Sequence, residues 1–101
     1  MKEDAVTVTV ARDLEDLIPV FMKNRTAEVE ALRAALAAAD FEQLRQIGHR
    51  MKWVGNSYGF EKVSVIGKQV EEHSRAGNRA ALEAVIAEYA HYLAHVRVVY
   101  E

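Results

Sequence analysis

The sequence predicts an all-α protein: an antiparallel four-helix bundle with an N-terminal capping helix over residues 13–101, preceded by an extended arm over residues 1–12. Three observations predict it. Alanine, leucine and glutamate crowd residues 27–39 and 79–94, and both runs are strong helix formers. Helix breakers are sparse, with one proline, Pro19, and five glycines. The connections between the helical runs are short, and short connections between long amphipathic helices place them side by side in opposite directions.

The elements follow in order. Val6-Thr7-Val8-Thr9-Val10 alternates with period two, the pattern of a strand. It is only five residues long, and the one segment able to pair with it, Val96-Arg97-Val98, lies at the far end of the chain. An arm lying on the bundle is therefore expected rather than a sheet. Asp13 or Asp16 is expected to cap the first helix, and a start at Asp16 leaves Pro19 in the first turn, where its missing N–H costs nothing. Leu17, Phe21, Val29, Leu32 and Leu36 keep helical spacing, with Asn24-Arg25 as a candidate break, so residues 14–38 form one bent helix or two. Asp40 and Gln43 have the spacing of a capping box and open a helix from Phe41 to about Ser57. Tyr58-Gly59 turns the chain. A further helix runs from about Phe60 to Ala76, with Phe60, Val63, Gly67 and Val70 on one face. Gly77 stands where a left-handed residue ends a helix, and Asn78 where a side chain caps the next. The last helix carries Leu82, Val85, Ile86, Tyr89, Tyr92, Leu93 and Val96 inward.

Composition narrows the function classes. Thirteen Lys and Arg against fifteen Asp and Glu leave a net charge of −2, which gives no electrostatic footprint for nucleic acid. Cysteine is absent, so no disulfide framework, zinc-thiolate site or thiol nucleophile is expected. No stretch approaches the roughly 20 apolar residues of a membrane span. Met1-Lys2-Glu3-Asp4-Ala5 lacks the apolar core of a signal peptide, and a cytoplasmic protein is expected.

The helix over residues 41–57 carries the chemistry. At about 100° per residue, Phe41, Leu44, Ile47, Gly48, Met51, Gly55 and Tyr58 share one stripe, and Trp53 lies roughly opposite it. His49, Lys52, Trp53 and Asn56 sit at i, i+3, i+4 and i+7 on the outward face, where side chains are neighbours. Arg45 lies one turn before His49 and Arg50 beside it. An exposed imidazole is mostly neutral at pH 7 and keeps a lone pair for nucleophilic attack. Nearby cations would balance an attached phosphoryl group. The plain alternative is a surface histidine on a solvated basic face. A tryptophan opposite the core stripe forgoes burial unless another helix, the arm or a partner covers it.

At this point the segment Gly48-His49-Arg50-Met51-Lys52-Trp53-Val54-Gly55-Asn56-Ser57-Tyr58-Gly59-Phe60 resembles the signature of histidine-containing phosphotransfer (HPt) domains. That signature is a histidine, an apolar residue two later, a lysine three later, usually a glycine after the lysine, small residues, and a glycine ten later. His49, Met51, Lys52 and Gly59 match it, and Gly55, Asn56 and Ser57 fit the small polar stretch. Gly67 and Val70-Glu71 match the helix that follows. Leu17 to Phe21, Asn24-Arg25 and Asp40 resemble the preceding helix of bacterial single-domain members, and the likeness covers about residues 13–95.

The resemblance implies a phosphocarrier of a multistep phosphorelay and not an enzyme. His49 would accept the phosphoryl group on Nε2, and Lys52 would stabilise its charge. Arg45, Arg50, Trp53, Asn56 and Glu71 would form the partner-binding set. The partner implied is a response-regulator receiver domain, which brings Mg²⁺ and the catalytic residues, with a histidine kinase as a second candidate. No cofactor or metal of its own is implied. Trp53 departs from the pattern, since the family usually has glycine there. It either crowds the approach to His49 or anchors a particular receiver, and the anchor is expected. Two other classes stay open: a receiver-docking module without transfer, and a structural or metal-binding bundle using His91, His95 and Glu88. His73 reads as a helix-terminal histidine, Tyr89, Tyr92 and Tyr100 as packing. Glu71 either hydrogen-bonds His49 or is an ordinary solvated glutamate.

Overall fold

The computed structural model describes residues 6–101, and the first five residues of the expected arm lie outside that range. Strand β1 (Val6–Val10) leads into a 3-10 helix (Arg12–Leu17), then α1 (Ile18–Ala37), α2 (Phe41–Ser57), α3 (Glu61–Ala76), α4 (Arg79–His95) and β2 (Val96–Tyr100). Among the described residues the protein is mostly helical, with four α-helices, the 3-10 helix and one small sheet.

The sheet corrects the expected arm. β1 and β2 pair in parallel, with Val6 opposite Val96 and Val10 opposite Tyr100. Val96 accordingly belongs to β2 rather than to the last helix. Parallel strands need a long crossover, and here the whole bundle is the crossover. The alternation explains why the strands stay: Val10 is buried, and Val8, Val96, Val98 and Tyr100 pack against the core, while Thr7, Thr9, Arg97 and Val99 face outward.

The start of α1 differs from expectation too. Neither Asp13 nor Asp16 caps it; Leu17 holds the cap position without a side-chain bond, because the 3-10 helix feeds straight into the first turn. Pro19 occupies that turn as expected. The helix continues through Asn24-Arg25 without a break, so residues 18–37 form one helix.

The other helix ends form where local chemistry predicts. The Asp40 carboxylate accepts from the Gln43 backbone N–H at 3.1 Å, and Asn78 from that of Ala81 at 3.1 Å. Gly77 takes a φ of 64°, the left-handed conformation that glycine adopts without a Cβ clash.

The core is continuous. Leu32, Leu44, Ile47, Met51, Phe60, Val63, Ile66, Val70, Leu82 and Tyr89 are fully buried. Phe21 stacks on Phe60 at 4.7 Å and against Tyr58 at 4.6 Å, tying α1 to the α2–α3 turn. What positions the site is the close approach of α2 and α3. A Cβ on Gly48 would stand 2.7 Å from the Gly67 carbonyl oxygen, one on Gly67 2.6 Å from Met51 Cβ, and one on Gly55 2.6 Å from the Ser64 nitrogen. The helices therefore touch backbone to backbone, and the Ser64 hydroxyl donates to the Lys52 carbonyl at 2.7 Å.

Candidate functional site

The outward face of α2 carries His49, Lys52, Trp53 and Asn56, as helical spacing predicts. His49 keeps half of its side chain exposed. Directly beneath it, α3 presents Glu71, whose side chain is only 3% exposed. The glycine contacts bring that carboxylate within reach. Its Oε2 meets His49 Nδ1 at 3.1 Å and accepts from Arg75 at 3.1 Å; its Oε1 accepts from Lys52 Nζ at 2.8 Å. Of the two readings of Glu71 left open by the sequence, the hydrogen-bonded one holds.

The charge on Glu71 follows from these partners. The hydrogen bond from Lys52 holds its pKa below the ordinary carboxylate value; burial opposes this, and the His49 bond and the charges of Lys52 and Arg75 add to the lowering. An ionised carboxylate only accepts hydrogen bonds, so His49 Nδ1 is the donor and carries the ring proton. In the neutral ring, Nε2 then holds the lone pair. One buried anion thus fixes the tautomer, the ring orientation and the position of a lysine three residues away.

The flanking cations are placed differently from one another. Arg45 is committed to its own helix, donating to Glu42 at 2.6 and 3.1 Å. The bonds from Arg45 and Gln46 bring the Glu42 pKa down to about 2. Arg50 is exposed, and its charge acts on Glu28 of α1.

Trp53 is 68% exposed, so neither a helix nor the described part of the N-terminal segment covers it. Its ring meets that of His49 edge-on, with centroids 6.4 Å apart. On its other side an open groove of about 480 Å³ runs between α2 and α3, lined by Lys52, Trp53 and Asn56 from one helix and Glu61, Ser64, Val65 and Lys68 from the other. Sequence reasoning missed this second wall and Arg75. Two signals were there: Val65 falls off the Val63, Ile66 and Val70 stripe, and Arg75 is one turn after Glu71.

The candidate metal face is otherwise engaged. Glu88 pairs with Lys62 at 2.7 Å, and the His91 and His95 rings stack at 4.1 Å, with His95 Nδ1 hydrogen-bonded to the His91 carbonyl at 2.8 Å. Among the described residues, no group of three or more His, Asp or Glu side chains is arranged to hold a metal ion. Among the same residues, no helix is long and apolar enough to cross a membrane.

The site is thus a half-exposed histidine, hydrogen-bonded to a buried carboxylate and flanked by a lysine, on a helical bundle. The model of the Hpt domain family matches residues 9–98, and the chain belongs to that family. Membership implies histidine-based phosphotransfer in two-component phosphorelays, as a carrier rather than a catalyst, among response-regulator receivers and kinases. No curated protein and no solved structure matches the chain.

Proposed function

We propose that this protein carries a phosphoryl group on His49 Nε2, taking it from and returning it to the aspartate of a response-regulator receiver domain. The bond between His49 Nδ1 and Glu71 is the observation that supports this reading most. The Nε2 lone pair attacks the phosphorus of the receiver's aspartyl phosphate. The N–P bond forms as the P–O bond to the aspartate breaks, and the aspartate leaves as a carboxylate. No proton need leave Nε2, because the single ring proton sits on Nδ1. The positive charge that builds on the ring is met by Glu71 through that Nδ1–H, an electrostatic stabilisation already in place before transfer. Lys52, a third exposed, turns from Glu71 toward the phosphoryl oxygens, and the exposed Arg50, joined by Arg45 once it leaves Glu42, meets the acidic receiver pocket. Receiver-bound Mg²⁺ and receiver side chains supply the remaining charge neutralisation, so this chain contributes the acceptor and its alignment. A histidine kinase is the second partner of this scheme, and its compartment is the cytoplasm. In its finer architecture the bundle is antiparallel, with the segment before α1 capping it.

The test is transfer of radiolabel from a phosphorylated receiver. The wild-type chain should acquire an acid-labile, base-stable phosphoramidate. His49→Gln should abolish it, and Lys52→Ala should slow it. Label that persists in His49→Gln would defeat the assignment.

A further inference from the structure

The groove beside His49 has a composition that phosphate chemistry does not explain. Its α2 wall ends in an indole with two thirds of its surface in water, and its α3 wall carries Val65, 44% exposed. An apolar side chain on a polar helix face adds nothing to the core; Trp53 and Val65 are two, and they border the same groove. Lys68 stands on the α3 wall, Lys52 at the end nearest His49 and Glu61 toward the α2–α3 turn. The floor is shallow because Gly55 and Ser64 bring the helix backbones together.

We infer that Trp53 and Val65 are the specificity determinant of the exchange, an apolar clip that admits receivers presenting a large apolar side chain beside a carboxylate. This rests on the phosphocarrier reading and names which partners that site accepts. The apolar side chain fills the space between the indole and Val65, and the carboxylate meets Lys68. The edge contact between Trp53 and His49 makes the clip continuous with the acceptor, so a receiver seated on it brings its aspartyl phosphate over Nε2. Buried aromatics at interface centres dominate binding energy, and tryptophan is among the residues most enriched there. A receiver with a polar residue at the matching place would leave the indole wet or a polar group dry. It would bind weakly even with its acidic pocket intact.

Trp53 is the chain's single tryptophan, so protein labelled with 5-fluorotryptophan reports the clip with one ¹⁹F resonance. The probes are a panel of isolated receiver domains, each activated with beryllium fluoride. The receiver bound most tightly should shift that resonance. Trp53→Ala should weaken this receiver at least tenfold and bring its affinity close to that of the others, with Trp53→Phe restoring part of the preference. Lys68→Glu should weaken it by a smaller, salt-dependent factor. Unchanged affinities and ranking in Trp53→Ala would overturn the inference, as would a wild-type chain that binds no receiver. Labelling by phosphoramidate, a small donor that needs no docking, separates the two readings. Wild-type protein that binds its receiver through Trp53 yet is never phosphorylated on His49, by donor or receiver, keeps the clip and loses the carrier.

Discussion

Among the described residues, Glu28 is largely and Glu71 almost wholly withdrawn from solvent, and their surroundings drive them opposite ways. Glu28 on α1 accepts from the Tyr89 hydroxyl at 2.7 Å and lies 3.1 Å from Arg25, whose side chain is only 12% exposed. Burial raises the Glu28 pKa, and the Tyr89 bond and the charges of Arg25 and Arg50 offset this only in part. Glu71 is more deeply enclosed, yet its pKa falls, because Lys52, His49 and Arg75 all address it. The sign follows from the balance, burial outweighing the partners at Glu28 and the Lys52 bond outweighing burial at Glu71, and where those partners lie decides the use. The groups in direct contact with Glu28, Tyr89 and Arg25, are inside, so this network closes on itself and ties α1 to α4. The partners of Glu71 stand at the surface with their other faces free, so its charge is exported to the groups that meet a phosphoryl donor.

This contrast breaks most readily at Glu28. Glu28→Ala leaves the Arg25 guanidinium buried without its counter-ion, which should cost about 3–5 kcal/mol in urea unfolding. The fraction of folded molecules labelled at His49 should not change. A cost below about 1 kcal/mol would show that the pair is not the closed structural network described. Next in size is Gly67→Ala, whose Cβ would lie 2.6 Å from Met51 Cβ. Overpacking should cost about 1–3 kcal/mol, and the displaced helices should draw Glu71 away from His49, slowing transfer beyond the loss of folded protein.

The pH dependence sharpens the same comparison at smaller amplitude. The native pKa of Glu71 is depressed, so its contribution is present above the ordinary carboxylate value and lost as pH falls through the native one. That of Glu28 is raised, so its contribution is present below the ordinary value and lost as pH rises through the native one. Unfolding midpoints measured from about pH 3 to pH 7, across the carboxylate range, should therefore lose part of their acid-side decline in Glu71→Gln. In Glu28→Gln that decline should steepen. The same direction of change in both variants would contradict the comparison. Smallest of all, His49→Gln removes one of three partners of the buried Glu71 carboxylate and should cost about 1 kcal/mol in thermal unfolding, while removing all label.

Legibility in the sequence followed the range of the interactions. The Asp40 and Asn78 caps, the turn at Gly77 and the sorting of α2 into a core stripe and a His49 face depend on residues within a turn or two, and periodicity suffices for them. The sheet depends on two five-residue strands separated by the whole bundle, and no local pattern reports that they meet. The start of α1 departs from expectation because Asp13 and Asp16 are good caps by type, while a 3-10 helix continuing into α1 leaves no cap to make. Glu71 is expected in the partner-binding set, but its burial depends on how closely α2 and α3 approach. That distance is set by Gly48, Gly55 and Gly67 acting together. The second wall of the groove was hidden for the same reason, since Val65 and Lys68 acquire meaning only once α3 is laid against Trp53.

The central claim is that Glu71 holds the proton of His49 on Nδ1 and leaves Nε2 to react. Long-range ¹H–¹⁵N spectra of histidine-labelled protein, recorded before and after phosphorylation, test it directly. The account predicts a neutral His49 ring protonated at Nδ1, shifting to the Nε2-protonated form in Glu71→Ala, and a phosphorylated state whose ³¹P couples to Nε2 alone. A wild-type ring already protonated at Nε2, or phosphorus bonded to Nδ1, would contradict it.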